Sequence, residues 1–435
     1  MERFALSRMK EWKENENRKP LIIRGARQVG KTWIMKTFGQ QYFEKTAYVN
    51  FDNNARMKQV FEGDLDIERL VLAISAETGV SIEAENTLII FDEVQEVPKA
   101  LTSLKYFHEN APQYAIVAAG SLLGVALQQG TSFPVGKVDF LDLYPLNFRE
   151  FLCAMGEKQF VSMLDSCDTQ MVTVFKTKYI ERLREYYFVG GMPEVVKDFS
   201  EKKDYNRVRA IQKNLINYYQ QDFSKHAEIK LVPRLNLVWN SIPMQLAKEN
   251  KKYIYGQVRE GSRAKDFELA IQWLLDCGLI HKVQRIQKPD LPLKAYIDFD
   301  AFKLFLVDIG LLIAMTDLDA KVIIEGNKIF TEFKGALTEQ YILQQLISDV
   351  GVIPYYYSTQ NSKGEIDFLV QGKTSVIPIE VKAEENLKAK SLKAFCEKYQ
   401  PSYAVRTSMS DYREQDWMTN IPLYAVKWIK NYVNQ

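Results

Sequence analysis

The 435-residue sequence contains few cysteines and few histidines. Its four cysteines, Cys153, Cys167, Cys277 and Cys396, are scattered and form no C-x-x-C pair. This spacing argues against a zinc site and against a disulfide framework, and it fits a reducing compartment. The three histidines are too far apart in the sequence to suggest a metal cluster. We therefore expect no site built from cysteine and histidine ligands.

Long apolar segments and a large net charge are also missing. No stretch approaches the length of an apolar membrane span, and the N-terminus does not resemble a signal peptide. We therefore expect a cytoplasmic protein with no membrane partner. The net charge is only +2, but residues 201–300 hold 18 basic and 12 acidic residues. This local excess is a weak indication of a polyanion-binding region, and a solvated basic surface explains it equally well.

Length and composition indicate a globular protein with more than one domain. At 435 residues the chain is long for a single hydrophobic core, so two or three domains are expected. Hydrophobic residues make up 46% of the chain and charged residues 26%, which is ordinary for a folded globular protein.

One stretch near the N-terminus matches a phosphate-binding loop. Apolar residues 21–23 predict a buried strand, and residues 25–32 then read G-x-x-x-x-G-K-T. Such a loop directs backbone N–H groups at phosphate oxygens, and the helix after it adds its dipole. Lys31 would reach the β- and γ-phosphates, and the Thr32 hydroxyl would bind Mg²⁺. The alternative is a glycine-rich turn without a ligand. The predicted nucleotide-binding residues are Gly25, Ala26, Arg27, Gln28, Val29, Gly30, Lys31, Thr32 and Trp33.

Two further apolar runs end in polar residues. The first, residues 87–91, leads into Asp92 and Glu93, as expected of a parallel strand buried on both faces. Asp92 would hold Mg²⁺, and Glu93 would orient or deprotonate the attacking water, unless the two acidic residues merely end a strand. The second run ends at Ser121, which would lie beside the γ-phosphate or else only cap a helix. We predict Lys31, Glu93 and Ser121 as catalytic residues of ATP hydrolysis.

The order of the predicted elements indicates an α/β fold. Strand and helix alternate repeatedly from residue 21 to residue 152, a pattern typical of a parallel sheet with right-handed crossovers. The predicted strands after the first are residues 46–52, 87–93, 114–121 and 137–143.

Several motifs together resemble a known family. They are GARQVGKT, YVNFD, LIIFDEVQ, the AAGS strand end, LYPLNFREFL and YFVGGMPEVV. This combination resembles the prokaryotic AAA-like ATPases that carry a C-terminal domain of unknown function, and the resemblance covers nearly the whole chain. It implies ATP and Mg²⁺ as cofactors and four regions: a P-loop ATPase core, a small helical lid or linker, a helical and winged-helix-like region, and a nuclease-like domain. The corresponding ranges are 1–150, 151–200, 201–325 and 326–435.

The sequence departs from this family at one position. Many members have Arg where this chain has Lys137. A lysine is a point charge rather than a planar fork, so the residue that would act as arginine finger stays unassigned. Arg149 and Arg184 are candidates. A homo-oligomer and hydrolysis in trans are both compatible with the sequence.

The middle of the chain suggests a helix-turn-helix with a wing. Ser262 would cap a helix that runs to Leu275, Gly278 would end it, and residues 279–283 would form a strand. Such modules bind DNA or dock other proteins, and the basic excess tilts the prediction slightly toward DNA. The predicted partners are therefore ATP or ADP, DNA or another nucleic acid, and a protein partner through this region.

The C-terminal region contains a second set of acidic residues. A helix over residues 331–346 carries Glu339, and strands are predicted at 355–358, 365–370 and 376–382. Strand alternation puts Glu365 and Asp367 on one face, and Glu380 and Lys382 on one face. This arrangement resembles the restriction-endonuclease-like (PD-(D/E)XK) core with its Asp…Glu-x-Lys constellation.

That resemblance implies that Asp367 and Glu380 bind Mg²⁺ and that Glu339 adds a ligand. Lys382 would assist hydroxide formation or stabilise the phosphorane. The alternative is a sheet with one polar face, and a fold does not imply activity. The expected function is thus an ATP-hydrolysing AAA-like ATPase coupled to a nuclease-like domain that binds or cleaves nucleic acid. The other reading is an ATP-dependent regulatory or interaction protein whose nuclease-like domain is inactive.

Overall fold

The computed structural model describes residues 2–120, 134–248, 251–325, 331–359, 364–385 and 389–435. These residues form two compact units. The N-terminal unit comprises Glu2–Tyr144 and the short segment Asp276–Leu279, and the C-terminal unit comprises Pro145–Leu275 and Ile280–Gln435. Within the described ranges, no helix is both long and apolar enough to cross a membrane.

The N-terminal unit alternates strands and helices, as predicted. Its elements are α1 (Ala5–Glu14), β1 (Leu21–Arg24), α2 (Lys31–Tyr42), β2 (Lys45–Asn50), α3 (Ala55–Glu62), α4 (Ile67–Thr78), β3 (Thr87–Asp92), a 3₁₀ turn (Val94–Glu96), α5 (Pro98–Asn110), β4 (Ala115–Ala119) and β5 (Asp139–Asp142). The strands are parallel and lie in the order β2-β3-β4-β1-β5. The predicted α/β fold with a parallel sheet is confirmed.

The apolar runs form strands whose residues are buried on both faces of this sheet. Every residue of β3 and β4 is buried, which explains why these strands show no alternation of apolar and polar residues. On one face Phe51, Phe61 and Phe91 form an edge-to-face cluster with ring centroids 5.4–5.7 Å apart. The N-terminal helix α1 buries Met9 and Trp12.

The C-terminal unit begins with helices and continues into a mixed sheet. Its helices before the sheet are α6 (Phe148–Ala154), α7 (Lys158–Asp165), α8 (Thr169–Val174), α9 (Lys176–Val189), α10 (Pro193–Lys202), α11 (Tyr205–His226), α12 (Val232–Leu246), α13 (Tyr255–Val258) and α14 (Ala264–Asp276). The remaining elements are β6 (Ile280–Ile286), a 3₁₀ turn (Leu293–Tyr296), β7 (Ile297–Leu306), α15 (Ile309–Met315), α16 (Ala320–Ile324), α17 (Thr331–Gln345), a π-helical turn (Leu346–Val350), β8 (Tyr355–Ser358), β9 (Glu365–Gln371), β10 (Val376–Val381), α18 (Lys390–Tyr399), β11 (Val405–Ser408), β12 (Arg413–Gln415), β13 (Met418–Pro422), a 3₁₀ turn (Leu423–Trp428) and α19 (Ile429–Val433).

The strand predicted as part of a wing, residues 279–283, overlaps β6 of this larger sheet. β6 and β7 pair in an antiparallel manner, and β6 also pairs in parallel with β8. The sheet order is β12-β13-β11-β10-β9-β8-β6-β7. The hairpin after α14 is therefore one edge of the sheet that also contains the predicted nuclease-like strands, and a division at residues 325/326 separates strands of one sheet.

Two motifs that carried the family resemblance meet in the C-terminal unit. The Leu146 N–H donates to the Gly191 carbonyl at 2.7 Å, and a Cβ atom at Gly191 would lie 2.1 Å from the Leu146 carbonyl oxygen. Only glycine fits this close backbone approach. Asn147 caps α6 in a capping box with Glu150. These residues therefore join α6 to the turn that follows α9.

Arg149 is buried in this unit and pairs with two carboxylates. Its side chain is only 8% exposed, and its guanidinium contacts Asp165 at 2.5 Å and Asp349 at 2.8 Å. Arg184 donates to the Ile324 carbonyl at 3.4 Å. The Arg149 guanidinium is thus already bound by two carboxylates, which disfavours it as an arginine finger.

Candidate functional site

The predicted phosphate loop lies between β1 and α2. Gln28 and Gly30 have φ angles of 66° and 95°, and Gly25 has a φ of 147°. A Cβ atom at Gly25 would lie 2.1 Å from the Leu143 carbonyl oxygen, so only glycine can occupy this position. Left-handed residues among right-handed ones curl a backbone so that its N–H groups converge, which forms an anion-binding concavity.

Lys31 is held by the loop itself. Its ammonium donates to the carbonyls of Gly25 at 2.9 Å and Ala26 at 2.8 Å, and the residue is 7% exposed. Burial lowers the pKa of Lys31 to about 8, against the attraction of Glu93 and Asp92. The ammonium therefore sits at the N-terminus of α2 with neutral carbonyl partners.

Asp92 receives hydrogen bonds from neutral donors. The Thr32 hydroxyl donates to its Oδ2 at 2.7 Å, the Tyr48 hydroxyl donates to the same atom at 2.9 Å, and the Glu93 N–H donates to Oδ1 at 3.1 Å. Burial and the charge of Asp92 raise the pKa of the Tyr48 hydroxyl. The two predicted Mg²⁺ ligands, Thr32 and Asp92, therefore meet although they are 60 positions apart. Tyr48 is a site residue that the sequence did not indicate.

Glu93 follows β3 in a left-handed conformation, with a φ of 50°. Its Oε2 accepts a hydrogen bond from Gln95 Nε2 at 2.7 Å. A non-glycine residue in this conformation costs of order 1–3 kcal/mol and is common at functional sites. The conformation and Gln95 together orient the Glu93 carboxylate at the carboxyl end of the sheet.

The other predicted nucleotide-site residues differ in environment. Val29 is buried and accepts a hydrogen bond from Arg3 at 3.0 Å, while Trp33 is 42% exposed. Arg27 is half-buried and Gln28 is exposed. Ser121 lies outside the described residues, but β4 ends at Ala119 between β1 and β3.

The terminal sheet holds a second charged cluster, formed by carboxylates and lysines. Lys303 of β7 is fully buried, and its ammonium contacts Glu365 and lies 3.5 Å from Glu339. Lys251, in the loop before α13, contacts the other oxygen of Glu339. The predicted ligand Glu339 is thus bound by two lysines that sequence reasoning missed.

Charge in this cluster is compensated internally. Burial opposes the charge of Lys303, but Glu339, Glu365 and Asp367 outweigh it and raise the pKa of Lys303. Desolvation and the charge of Glu339 raise the pKa of Asp367 to about 8, against the two lysines. A protonated Asp367 leaves two carboxylates facing two ammonium groups near neutral pH.

Asp367, Glu380 and Lys382 lie together at the junction of β9 and β10. The Val381 N–H donates to Asp367 Oδ2 at 2.7 Å, and Lys382 Nζ lies 2.6 Å from Glu380 Oε1. Phe368 pairs with Ile379, which puts Asp367 and Glu380 at adjacent positions of the two strands. Glu380 is 4% exposed, and its Oε2 has no hydrogen-bond partner among the described residues. No three acidic, histidine or cysteine side chains within those residues form a group that could hold a metal ion.

Comparisons with known families divide the chain into three matched regions. Residues 17–152 match the family described as "AAA domain". Residues 180–322 match a "Domain of unknown function (DUF8612)", and residues 334–426 match a "Domain of unknown function (DUF4143)". The phosphate loop therefore lies within the region that is similar to the AAA domain family.

Other comparisons are more distant. No curated protein matches this sequence. Among solved structures, a Walker-type ATPase of Pyrococcus abyssi has 15% identity and a TM-score of 0.44, and the match covers 72% of this chain and 95% of that one. A RuvB variant of Thermotoga maritima has 12% identity and a TM-score of 0.26, with 64% and 86% of the two chains covered.

Proposed function

We propose that this protein binds ATP with Mg²⁺ and hydrolyses it to ADP and phosphate. The observation that carries the proposal is the hydrogen bond of 2.7 Å between Thr32 and Asp92, which brings the end of the phosphate loop to the acidic end of β3. Both groups are oxygen donors of the kind that Mg²⁺ prefers. The glycine positions of the loop and the AAA match over residues 17–152 support the same proposal.

Each residue has a separate role in this proposal. Thr32 and Asp92 would hold Mg²⁺, which when bound neutralises charge on the phosphates. Lys31 would leave the Gly25 and Ala26 carbonyls to contact phosphate oxygens. Glu93, oriented by Gln95, would accept a proton from the attacking water. Ser121 stays a prediction for contact with the γ-phosphate.

The first test separates nucleotide binding from hydrolysis. Lys31→Ala should abolish ATP binding, because the phosphate charge loses its cation. Glu93→Gln should bind ATP and lower the turnover rate by roughly 10²–10⁴-fold, the usual contribution of a general base. Binding is measured by calorimetry and turnover by phosphate release, with Glu96→Gln, an exposed neighbour, as the matched control. Unchanged turnover in Glu93→Gln would remove Glu93 from the mechanism.

A second function is proposed for the terminal sheet. We propose that residues 326–435 form a restriction-endonuclease-like core, within the larger sheet, that binds nucleic acid and cleaves it in the presence of a divalent metal. The buried Glu380 Oε2 without a partner favours this, because a cation beside Asp367 would satisfy it. Mg²⁺ often binds through one or two carboxylates and several waters. Asp367 and Glu380 fit this role, whereas Glu339 already has two lysine partners.

Plasmid nicking with Mg²⁺ or Mn²⁺ tests this second proposal. Glu380→Ala and Asp367→Ala should abolish nicking, and ATP should change the nicking rate if the two activities are coupled. Intact plasmid at every metal and topology, with normal ATP turnover, would support the alternative function. The terminal domain would then be a catalytically inactive regulatory or interaction module, and salt-sensitive DNA binding without cleavage would be its signature.

A further inference from the structure

A short segment from the middle of the sequence belongs to the nucleotide-binding unit. The turn Asp276–Leu279 follows α14 and groups with Glu2–Tyr144. Within the turn, Cys277 and Leu279 are 4% and 3% exposed. Gly278 has a φ of 69°, as expected of the residue that ends a helix in the left-handed conformation. The turn therefore belongs to the unit that contains the phosphate loop and buries Cys277 and Leu279.

Gly278 lies directly against the beginning of the phosphate loop. A Cβ atom at Gly278 would lie 3.1 Å from the Ala26 nitrogen and 3.5 Å from the Gly25 carbonyl carbon. Both atoms belong to the peptide bond between Gly25 and Ala26. Backbone cannot rotate away as a flexible side chain can, so an added methyl group would push this peptide.

The peptide bond between Gly25 and Ala26 is also close to the backbone of Leu143. A Cβ atom at Gly25 would lie 2.1 Å from the Leu143 carbonyl oxygen. The Gly25–Ala26 peptide is thus held between Leu143 and Gly278, with no room for a side chain at Gly25 and room at Gly278 only if the peptide shifts by a few tenths of an ångström. Its carbonyl, and the next one, accept the hydrogen bonds of the Lys31 ammonium at 2.9 and 2.8 Å. A shift of this peptide would therefore move both partners of the ammonium.

We propose that the Asp276–Leu279 turn is a component of the nucleotide site and that Gly278 is a positioning residue for the phosphate loop. Gly278 acts through the Gly25–Ala26 peptide, which sets where the Lys31 ammonium starts. The ligand is the triphosphate of ATP, so this inference rests on the proposed ATP binding. A segment about 250 positions after the loop thereby controls nucleotide affinity.

The chain offers a matched control for this inference. Gly79, at the end of α4, has the same φ of 69°, and a Cβ atom there would meet nothing within 4 Å. Substitutions at Gly79 and Gly278 therefore introduce the same backbone strain, but only those at Gly278 contact the phosphate loop. The full-length variants Gly278→Ala, Gly278→Val, Gly79→Ala and Gly79→Val are compared by the Kd for ATP·Mg²⁺ and by the Tm without nucleotide.

We expect Gly278→Val to weaken ATP binding by about tenfold or more, since misplacement of a binding group by a fraction of an ångström is costly. Gly278→Ala should show a smaller loss of affinity, and both Gly79 variants should bind ATP within about twofold of the unaltered protein. The Tm should fall in both series, because strain is common to them. Equal ATP affinities in the two series would overturn the inference.

A second measurement uses the unaltered protein, so it tests the inference even if the variants do not fold. Hydrogen exchange of the peptide that contains residues 276–279 should slow when ATP·Mg²⁺ is added at saturation. Unchanged exchange there, while the phosphate loop is protected, would overturn the inference but leave ATP binding intact. Failure of the unaltered protein to bind ATP at all would instead overturn the proposed function.

Discussion

The molecule contains two lysine–carboxylate sites that are built in opposite ways. In the N-terminal unit, Lys31 donates to main-chain carbonyls, and Asp92 accepts hydrogen bonds from hydroxyl groups. In the C-terminal unit, Lys303 and Lys251 contact the carboxylate of Glu339 directly. The first site keeps its cation and its anion apart, whereas the second joins them.

This difference decides how readily each site can accept a ligand. Losing a hydrogen bond between a charged group and a neutral partner costs roughly 1.5–3 kcal/mol. Removing one partner of a buried ion pair costs roughly 3–5 kcal/mol. Lys31 and Asp92 can thus exchange their neutral partners for a ligand at a lower cost than Glu339 can leave its lysines. A metal in the C-terminal unit would have to use Asp367 and Glu380.

The largest expected effect is the difference in stability between variants that lack Lys303 and variants that lack Lys31. Lys303→Met should destabilise the protein by roughly 3–5 kcal/mol, because it removes the fully buried cation shared by Glu365 and Glu339 and leaves Glu339 with Lys251 alone. Lys31→Met should cost little stability or even increase it, since burial already disfavours the charge of Lys31. Denaturant unfolding of both variants, followed by fluorescence, makes the measurement.

Lys334→Met is the control for loss of a lysine from the same unit. Its side chain is 26% exposed and pairs with the exposed Glu384, so the expected loss is about 0–1 kcal/mol. If Lys303→Met were no more destabilising than Lys334→Met, the terminal cluster would not be an internally compensated ion group, and the contrast between the two sites would fail.

A smaller effect is expected from Tyr48, one of the neutral donors to Asp92. Tyr48→Phe should destabilise the free protein by about 2 kcal/mol, the usual range for a hydrogen bond to a charged group. ATP·Mg²⁺ affinity should not fall, because the metal takes the same carboxylate. Thermal unfolding and calorimetry test the pair of effects, with Tyr106→Phe of α5 as the control. A large loss of ATP affinity in Tyr48→Phe would give this hydroxyl a direct role in binding.

Tyr48 and Lys303 also show where prediction from sequence ends. The phosphate loop and the strand ending at Asp92 could be predicted, because their chemistry is written in contiguous residues with a fixed spacing. Tyr48 reaches Asp92 only because β2 pairs with β3. No pattern in the neighbouring residues indicates that the Tyr48 side chain extends to this carboxylate. The buried apolar runs predicted a parallel sheet. They did not predict the order of the strands within it, which depends on tertiary structure.

The terminal sheet could be predicted only in part for a related reason. The helix with Glu339 and the strands with Asp367 and Glu380 follow from apolar periodicity. Lys303 lies on β7, a strand that the sequence did not predict, and it reaches the cluster because β7 pairs with β6 and β6 pairs with β8. Parallel pairing between distant strands leaves no local signal, so the cation of this cluster could not be assigned to it.

The smallest effect concerns pH and the cation of the first site. Because burial lowers the pKa of Lys31 to about 8, its charged fraction falls as the pH rises through 8. ATP affinity should therefore decrease by about tenfold per pH unit above 8, since only the ammonium form attracts phosphate. The stability of the free protein should change in the opposite direction. Between pH 8 and 10.5 the unfolded chain binds the extra proton, so unfolding becomes less favourable as the pH rises.

Calorimetry with ATP from pH 7.5 to 9.5 measures this dependence. Lys31→Arg is the control, because arginine stays charged over this range and its profile, although weaker, should be flat. A flat profile in the unaltered protein would mean that Lys31 keeps its proton as firmly as the lysines of the terminal cluster, where neighbouring carboxylates raise the pKa of Lys303. The lysines of both sites would then stay charged over this pH range. The lower cost of ligand binding at the first site would have to come from Asp92 alone.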